Sequence, residues 1–320
     1  MIIQQEINKA AAILRAGGLV AIPTETVYGL GADARNPDAI AKVFAAKQRP
    51  HSHPLIVHVV DFNQISDWAR EIPAAARQLA NAFWPGPLTL ILKKRPDVLD
   101  IITGGQDTIA LRMPRHPVTL ALLREFGGGL VAPSANRFTR VSPTTAAAVH
   151  AELGDKVDMI LDGGACEVGL ESTILDLSGS VPRILRPGMI RPEQIAAVLG
   201  TEVSVRRQDY PDEVRAPGMH HLHYSPVTRT ELFTSTNIEA AYLPAVCLTH
   251  SGLKFSDDRV TVIHMPSSPD AYAQMLYATL RAQDQQQYQR ILIEAVPDNA
   301  EWDAIRDRIM KACGSVTLKA

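Results

Sequence analysis

GLVAIPTETVYGLGADA, residues 18–34, and KQRPHSHPL, residues 47–55, decide how this chain is read. In the first, the apolar run from Leu19 to Ile22 predicts a strand, and it feeds directly into hydroxyls and a carboxylate: Thr24, Glu25, Thr26 and Tyr28. A strand end that delivers polar groups into a loop is how α/β folds build ligand sites. In the second, Lys47 and Arg49 stand two residues apart, and Pro50 holds the residue before it extended. Two cations fixed side by side suit an anion with several oxygens, such as a nucleotide triphosphate.

Outward from these stretches, helical and extended patterns alternate over the first 200 residues. A helix over 7–16 ends at Gly17-Gly18, and Asn36-Pro37 opens another through about residue 46. Strands are expected at 55–60, 87–94, 108–114, 130–136, 158–163 and 172–177, with helices near 73–83, 117–126 and 143–153. The last of these helices takes Ser142 as its N-cap and Pro143 as its first residue. Residues 201–229 are charged, bear prolines and lack periodicity, so they read as a linker. A shorter α/β pattern resumes at 230, with strands at 244–250, 259–265 and 290–296 and helices at 268–283 and 299–312. Strands of both periodicities among helices indicate an α/β or α+β core, and the fold class taken is α/β: a twisted α/β sheet domain over 1–200, the linker 201–229, and a small Rossmann-like domain over 230–320.

The chain has 320 residues, 46% of them apolar, and a net charge of −2. Residues 1–200 carry 20 Lys and Arg against 19 Asp and Glu, and 201–320 carry 12 against 15. Neither part is a basic nucleic-acid surface, so an RNA contact would need a local patch. Cys166, Cys247 and Cys313 lack CxxC spacing, which argues against a disulfide framework and structural zinc and fits a reducing compartment. The N-terminus lacks the basic and apolar regions of a signal peptide, and no 18-residue apolar run occurs, so a cytoplasmic protein without membrane contact is expected.

A GxGxxA string at residues 29–34 imitates a dinucleotide fingerprint, but that motif needs an immediate strand-to-helix turn, and here several residues intervene. It reads as a tight backbone path bordering the pocket. No G-x-x-x-x-G-K-[ST] and no G-x-S-x-G occurs, so a P-loop and an acyl-enzyme elbow are both excluded. A nucleotide site must therefore use side-chain cations and hydroxyls. His58 interrupts the apolar run LIVHVV, where a core histidine is the ordinary reading. Arg112 ends a strand expected to be buried, and a buried guanidinium needs an anion. Three histidines, His220, His221 and His223, lie within four residues, a spacing that cannot aim all three at one metal from a regular element.

KQRP, IVH, LRMP, APSAN, VSPT, EST and LRPG, in this order, together resemble the YrdC/Sua5 family. The segment APGMHHLHYSP at 216–226 resembles the linker of its long, Sua5-type members. The resemblance implies a YrdC-like catalytic domain, a linker covering the active site, and a Sua5-type C-terminal domain. It implies phosphate contacts and catalysis by Lys47 and Arg49. ATP contacts are further implied for His53, Thr108, Ser134, Asn136, Ser142, Arg186 and Tyr224. His53 departs from the asparagine usual in that place. Threonine contacts are implied for Thr26, His58, Arg112, Ala132 and Ser172, with Arg112 on the carboxylate.

The implied activity is that of an L-threonylcarbamoyladenylate synthase, a nucleotidyltransferase. L-threonine, bicarbonate or CO₂, and ATP with Mg²⁺ give threonylcarbamoyl-AMP and pyrophosphate. No protein metal site is implied. The product serves the threonylcarbamoyladenosine modification of tRNAs reading ANN codons, through a downstream threonylcarbamoyl transferase. The alternative is a translation-associated module that binds double-stranded RNA or tRNA without synthase activity. A third reading, a carbamoyl-transferring relative of the hydrogenase-maturation type, calls for zinc-finger-like segments that three scattered cysteines do not supply.

Overall fold

The computed structural model describes residues 4–205, 216–218, 223–233 and 243–314. The chain divides into two compact units. Residues 1–137, 143–167 and 171–219 make the first, and 138–142, 168–170 and 220–320 make the second.

The first unit is built on a ten-stranded mixed sheet. Its strands are β1 (Val20–Ile22), β2 (Gly29–Asp33), β3 (Ile56–His58), β4 (Leu88–Lys93), β5 (Thr108–Arg112), β6 (Leu130–Val131), β7 (Met159–Ile160), β8 (Thr173–Asp176), β9 (Arg183–Arg186) and β10 (Ser204–Val205). They lie in the order β10-β9-β8-β4-β5-β3-β6-β2-β1-β7. The helices are α1 (Gln4–Arg15), α2 (Pro37–Lys47), α3 (Ala74–Phe83), α4 (Asp100–Thr103), α5 (Pro117–Phe126), α6 (Ala146–Leu153) and α7 (Pro192–Leu199).

Alternation along the strands sorts side chains to the two faces of the sheet. Leu88, Leu90 and Leu92 of β4, Ile109 and Leu111 of β5, and Val57 of β3 join the main core with Ile40, Val43 and Phe44 of α2 and Leu79 of α3. Toward the other end, Val20 and Ile22 of β1 pack with Ile7 and Leu14 of α1 and Leu122 of α5. The intervening residues Ile56, Ile91, Ala110 and Ile174 form a smaller apolar cluster with Leu185 and Ala216. By the same alternation, His58, Thr89 and Arg112 belong to the face of this smaller cluster, opposite the main core. That placement carries the site.

Two local boundaries differ from expectation, and one stretch takes a form the sequence left open. The GxGxxA string, read as a tight backbone path, is largely a strand, β2. Its glycines answer to close packing: a Cβ on Gly31 would lie 2.9 Å from the Val20 carbonyl oxygen, and one on Gly29 3.1 Å from Ala132 Cβ. Helix α6 begins three residues later than expected, capped by Thr145, whose hydroxyl accepts from the Ala148 N–H at 3.2 Å. The Pro143 carbonyl is committed instead to the Tyr28 N–H (2.9 Å), which keeps this stretch out of the helix. The start of the expected linker is also ordered into the sheet, since β10 pairs in parallel with β9.

The second unit carries a four-stranded, wholly parallel sheet of β11 (Thr230–Phe233), β12 (Ala245–Thr249), β13 (Val260–His264) and β14 (Arg290–Glu294), ordered β11-β14-β12-β13. It also contains α8 (Pro269–Asp284) and α9 (Asp303–Cys313). All five residues of β12 are buried, as a central parallel strand demands. From β12 the chain places β13 on one side and β14 on the other, the doubly wound arrangement. The segment 138–142 is held within this unit: the Ser225 N–H donates to the Thr139 carbonyl (2.9 Å) and Arg140 Nη1 to the Pro226 carbonyl (3.1 Å). Among the described residues, no helix is long and apolar enough to cross a membrane.

Candidate active site

Strands β3 and β5 run parallel and in register, so that His58 pairs with Arg112 at their carboxyl ends. Both side chains are buried. On the far side of β5, Leu90 pairs with Leu111, which sets Thr89 of β4 beside Arg112. Thr89 Oγ1 lies 2.7 Å from Ser172 Oγ at the entrance to β8. Arg186, from the end of β9, donates to the Ser172 carbonyl at 3.1 and 2.9 Å and to its hydroxyl at 3.2 Å. The sheet thus assembles His58, Arg112, Ser172 and Arg186 into one polar row, and Thr89 joins them.

The loop after β1 grips this row. Thr24 Oγ1 donates to the Val27 carbonyl (2.6 Å) and accepts from the N–H groups of Thr26 and Val27, a side-chain-to-backbone turn that freezes the loop. Thr26 Oγ1 lies 2.8 Å from Thr24 Oγ1 and accepts from Arg112 Nη1 at 2.9 Å. Glu25 Oε1 lies 2.7 Å from Arg112 Nη2, and both side chains are almost fully buried. The anion that a buried Arg112 requires is therefore supplied by the protein itself.

A second cluster forms where α2 ends. Gln48 takes a left-handed conformation (φ 53°), stopping the helix and leaving Lys47 buried as its last residue. Lys47 Nζ donates to the carbonyls of Ser134 and Asn136, the latter at 2.6 Å. Burial, and next the charge of Arg49, hold the Lys47 ammonium well below its ordinary pKa. Arg49 Nη2 donates to the Pro54 carbonyl at 2.9 Å, tying the KQRPHSHP loop into a closed turn with half-buried His53 inside it. Ala132 is buried and its N–H donates to the Ile56 carbonyl (3.2 Å), which brings the APSAN turn against β3.

One expected residue, Thr108, stands apart from Arg112 within the first unit, and two others belong to the second unit. Thr108 begins β5, so the length of the strand, roughly 13 Å at about 3.3 Å per residue, separates it from Arg112. Ser142 and Tyr224 belong to the second unit. Tyr224 is buried there at φ 59°, its ring 5.6 Å from Tyr277 and under the Arg308 guanidinium at 5.1 Å. His220 and His221 lie outside the described residues, and no group of three or more potential metal ligands occurs among the described residues. Glu25 and Thr89 are the functional candidates that motif reading passed over. The signal for Glu25 was its place between two loop hydroxyls, and for Thr89 a lone hydroxyl in an apolar strand.

Protonation narrows the chemistry. Burial, and next the neighbouring Arg112 charge, lower the His58 pKa to about 3, so the ring is neutral at physiological pH and too weak a base to take a proton there. Its Nδ1 is buried and meets no hydrogen-bond partner in normal geometry among the described residues, although the nearby Ile56 backbone favours the charged ring slightly. Burial pushes all three thiols up to about 12, so none is a thiolate nucleophile. The His58 shift also has a stability consequence. Its folded pKa lies below the unfolded value of 6.5, so the unfolded chain binds more protons as pH falls from about 6.5 toward 3. Stability is thus fully present above pH 6.5 and drains away below it, by up to about 5 kcal/mol at the limit. Denaturant unfolding between pH 7 and 4.5 should fall less steeply in His58→Gln than in the natural chain. Equal slopes would mean that His58 is not the buried neutral group described.

Residues 12–188 match the Sua5/YciO/YrdC family model, described as telomere recombination, and residues 190–314 match the threonylcarbamoyl-AMP synthase C-terminal domain. The chain belongs to the YrdC/Sua5 family. With both parts present it is of the long, Sua5 type. It is 38% identical to the threonylcarbamoyl-AMP synthase of Bacillus subtilis, over 98% of this chain and 94% of that protein. It is 37% identical to that of Pyrococcus abyssi, over 98% of this chain and 96% of that one. The crystal structure of P. abyssi Sua5 complexed with L-threonine matches at a TM-score of 0.90 and 35% identity, covering all of this chain and 97% of that one. The α/β architecture expected from the sequence is that of the family.

Proposed function

We propose that this protein is an L-threonylcarbamoyladenylate synthase. One observation carries the reading: the full-length likeness to threonylcarbamoyl-AMP synthases coincides with an assembled row of buried polar groups on the expected motifs. Threonine carbamate, formed from the amine with bicarbonate or CO₂, attacks the α-phosphorus of ATP. A carbamate oxygen bonds to phosphorus as the bond to the leaving pyrophosphate breaks. Lys47, Arg49 and Arg186 neutralise phosphate charge as it develops, with His53, Thr108, Ser134, Asn136, Ser142 and Tyr224 assigned to ATP. Arg112 takes the threonine carboxylate, with His58, Thr26, Ser172 and Ala132 around the amino acid. Mg²⁺ fits as an ion carried by the nucleotide, because the protein groups proposed to meet the phosphates are cations and hydroxyls rather than a carboxylate cage. The linker beyond β10, part of which lies outside the described residues, acts as the cover that keeps water from the mixed anhydride, a role that suits so hydrolysable a product.

Four cations of the site, Lys47, Arg49, Arg112 and Arg186, are all buried. A surface that binds an RNA backbone exposes its cations, so the RNA-module alternative is the poorer reading. The proposed product places the protein in tRNA modification, upstream of a transferase that accepts the threonylcarbamoyl group. The test is pyrophosphate release with each of the twenty amino acids, with and without bicarbonate. Release should require threonine and bicarbonate together. Release with ATP alone, or with many amino acids equally, would replace the proposal.

A further inference from the structure

Arg112 and Glu25 form a buried ion pair. Arg112 donates through Nε to the Gly86 carbonyl (3.3 Å) and through Nη1 to Thr26 Oγ1 (2.9 Å), while its Nη2 lies 2.7 Å from Glu25 Oε1. Of the five N–H bonds of the guanidinium, that of Nε and one of Nη1 are hydrogen-bonded to protein groups, while Nη2 lies against Glu25 as an ion pair whose geometry makes no hydrogen bond. Glu25 in turn uses its second oxygen, Oε2, to accept the backbone N–H of Arg115 at 2.9 Å. One buried carboxylate therefore ties the loop after β1 to the end of β5 and to the turn leading into α5 at once.

We infer that Glu25 is a positioning residue of the synthase site. It fixes the rotation of the Arg112 guanidinium through the ion pair, so that its uncommitted N–H bonds face the carboxylate of the amino-acid substrate. Position matters more than charge here. As a bare countercharge Glu25 would weaken Arg112 toward a second carboxylate, since the guanidinium meets the substrate already neutralised. The gain comes from pre-organisation: a fork held at three points loses little freedom when the substrate arrives. Thr26 acts in the same way, because its hydroxyl is already spent on Arg112 and Thr24. The direct contacts to the amino acid then fall to Arg112 and its neighbours, with Glu25 and Thr26 behind them.

This inference rests on the synthase reading, and its test separates the two. Pyrophosphate release is measured against threonine and against ATP for the natural chain, Glu25→Gln, Glu25→Asp and Thr26→Val. Glu25→Gln keeps the shape but removes one acceptor oxygen, so it cannot satisfy both Arg112 and the Arg115 N–H. Its threonine KM should rise at least tenfold, with the ATP KM unchanged within twofold; the melting temperature should fall as well, because Arg112 loses its counter-ion, so both KM values are read well below it. Glu25→Asp keeps the charge on a shorter arm and should not restore the threonine KM. Thr26→Val, a milder change, should shift the threonine KM in the same direction. A lower threonine KM in Glu25→Gln would make Glu25 a competing anion and overturn the inference. Full rescue by Glu25→Asp, or equal shifts for both substrates, would reduce Glu25 to a charge or a structural strut and overturn it also. If the natural chain releases no pyrophosphate with threonine, the synthase reading itself falls. If it does and the split is missing, only the role of Glu25 falls.

Discussion

Arg112→Ala is expected to raise the threonine requirement far more than the ATP requirement and to destabilise the fold as well. The two losses have different causes. Losing a charge-assisted, two-pronged contact to a carboxylate costs roughly 2–4 kcal/mol, or about 30- to 1,000-fold in threonine affinity. The stability loss comes from Glu25, left 1% exposed with no counter-ion. Removing one partner of a buried pair typically costs about 3–5 kcal/mol, because the other charge stays behind. A second variant separates the terms. In Glu25→Gln/Arg112→Met neither charge of the pair remains, so most of the stability should return while threonine use stays lost. Denaturant unfolding and substrate titration on both variants check this. An Arg112→Ala protein with normal threonine affinity would remove Arg112 from the carboxylate. A double variant as unstable as the single one would show that the pair does not set the stability loss.

How much of this was legible in the sequence depends on whether the deciding contact is local. Helix α2 was legible because its signals are its own: Asn36 accepts from the N–H groups of Asp38 and Ala39, and Pro37 fills the first position. Helix α5 was legible for similar reasons, with Pro117 at its start and Gly127 left-handed at its end (φ 79°). The start of α6 was not. Ser142-Pro143 has the right chemistry for a cap, but the Tyr28 N–H claims the Pro143 carbonyl from more than a hundred residues away. Strand β2 was hidden for the same kind of reason, since its glycines make sense only beside Val20 and Ala132.

The site shows the same division. Motifs named Arg112 and asked for an anion, yet its partner in the fold is Glu25, 87 residues earlier, brought there by pairing across the sheet. Ser172 and Arg186 came from separate motifs assigned to different substrates, and the structure joins them directly. A list of motifs gives the chemical groups. Sheet order decides which of them touch.

Lys47→Ala and Arg49→Ala should each leave threonine binding largely intact and suppress adenylate formation. Lys47 has three N–H donors, of which two are spent on the carbonyls of Ser134 and Asn136. The third is free to meet phosphate, and the two commitments aim it. This ammonium therefore does two things: it locks the APSAN turn and it presents one donor to the nucleotide. Its charged form is disfavoured by burial and by Arg49, a cost that an arriving polyphosphate offsets. Each cation should be worth most as charge develops on the leaving pyrophosphate, so removal should lower kcat by about 10²–10³, or about 3–4 kcal/mol. Lys47→Ala should also loosen the APSAN turn, whose carbonyls its ammonium holds. Hydrogen exchange at residues 132–137 reads that loosening, and single-turnover rates at saturating ATP measure the chemistry. Normal single-turnover rates in either variant would show that its cation does not act on the transferring phosphate.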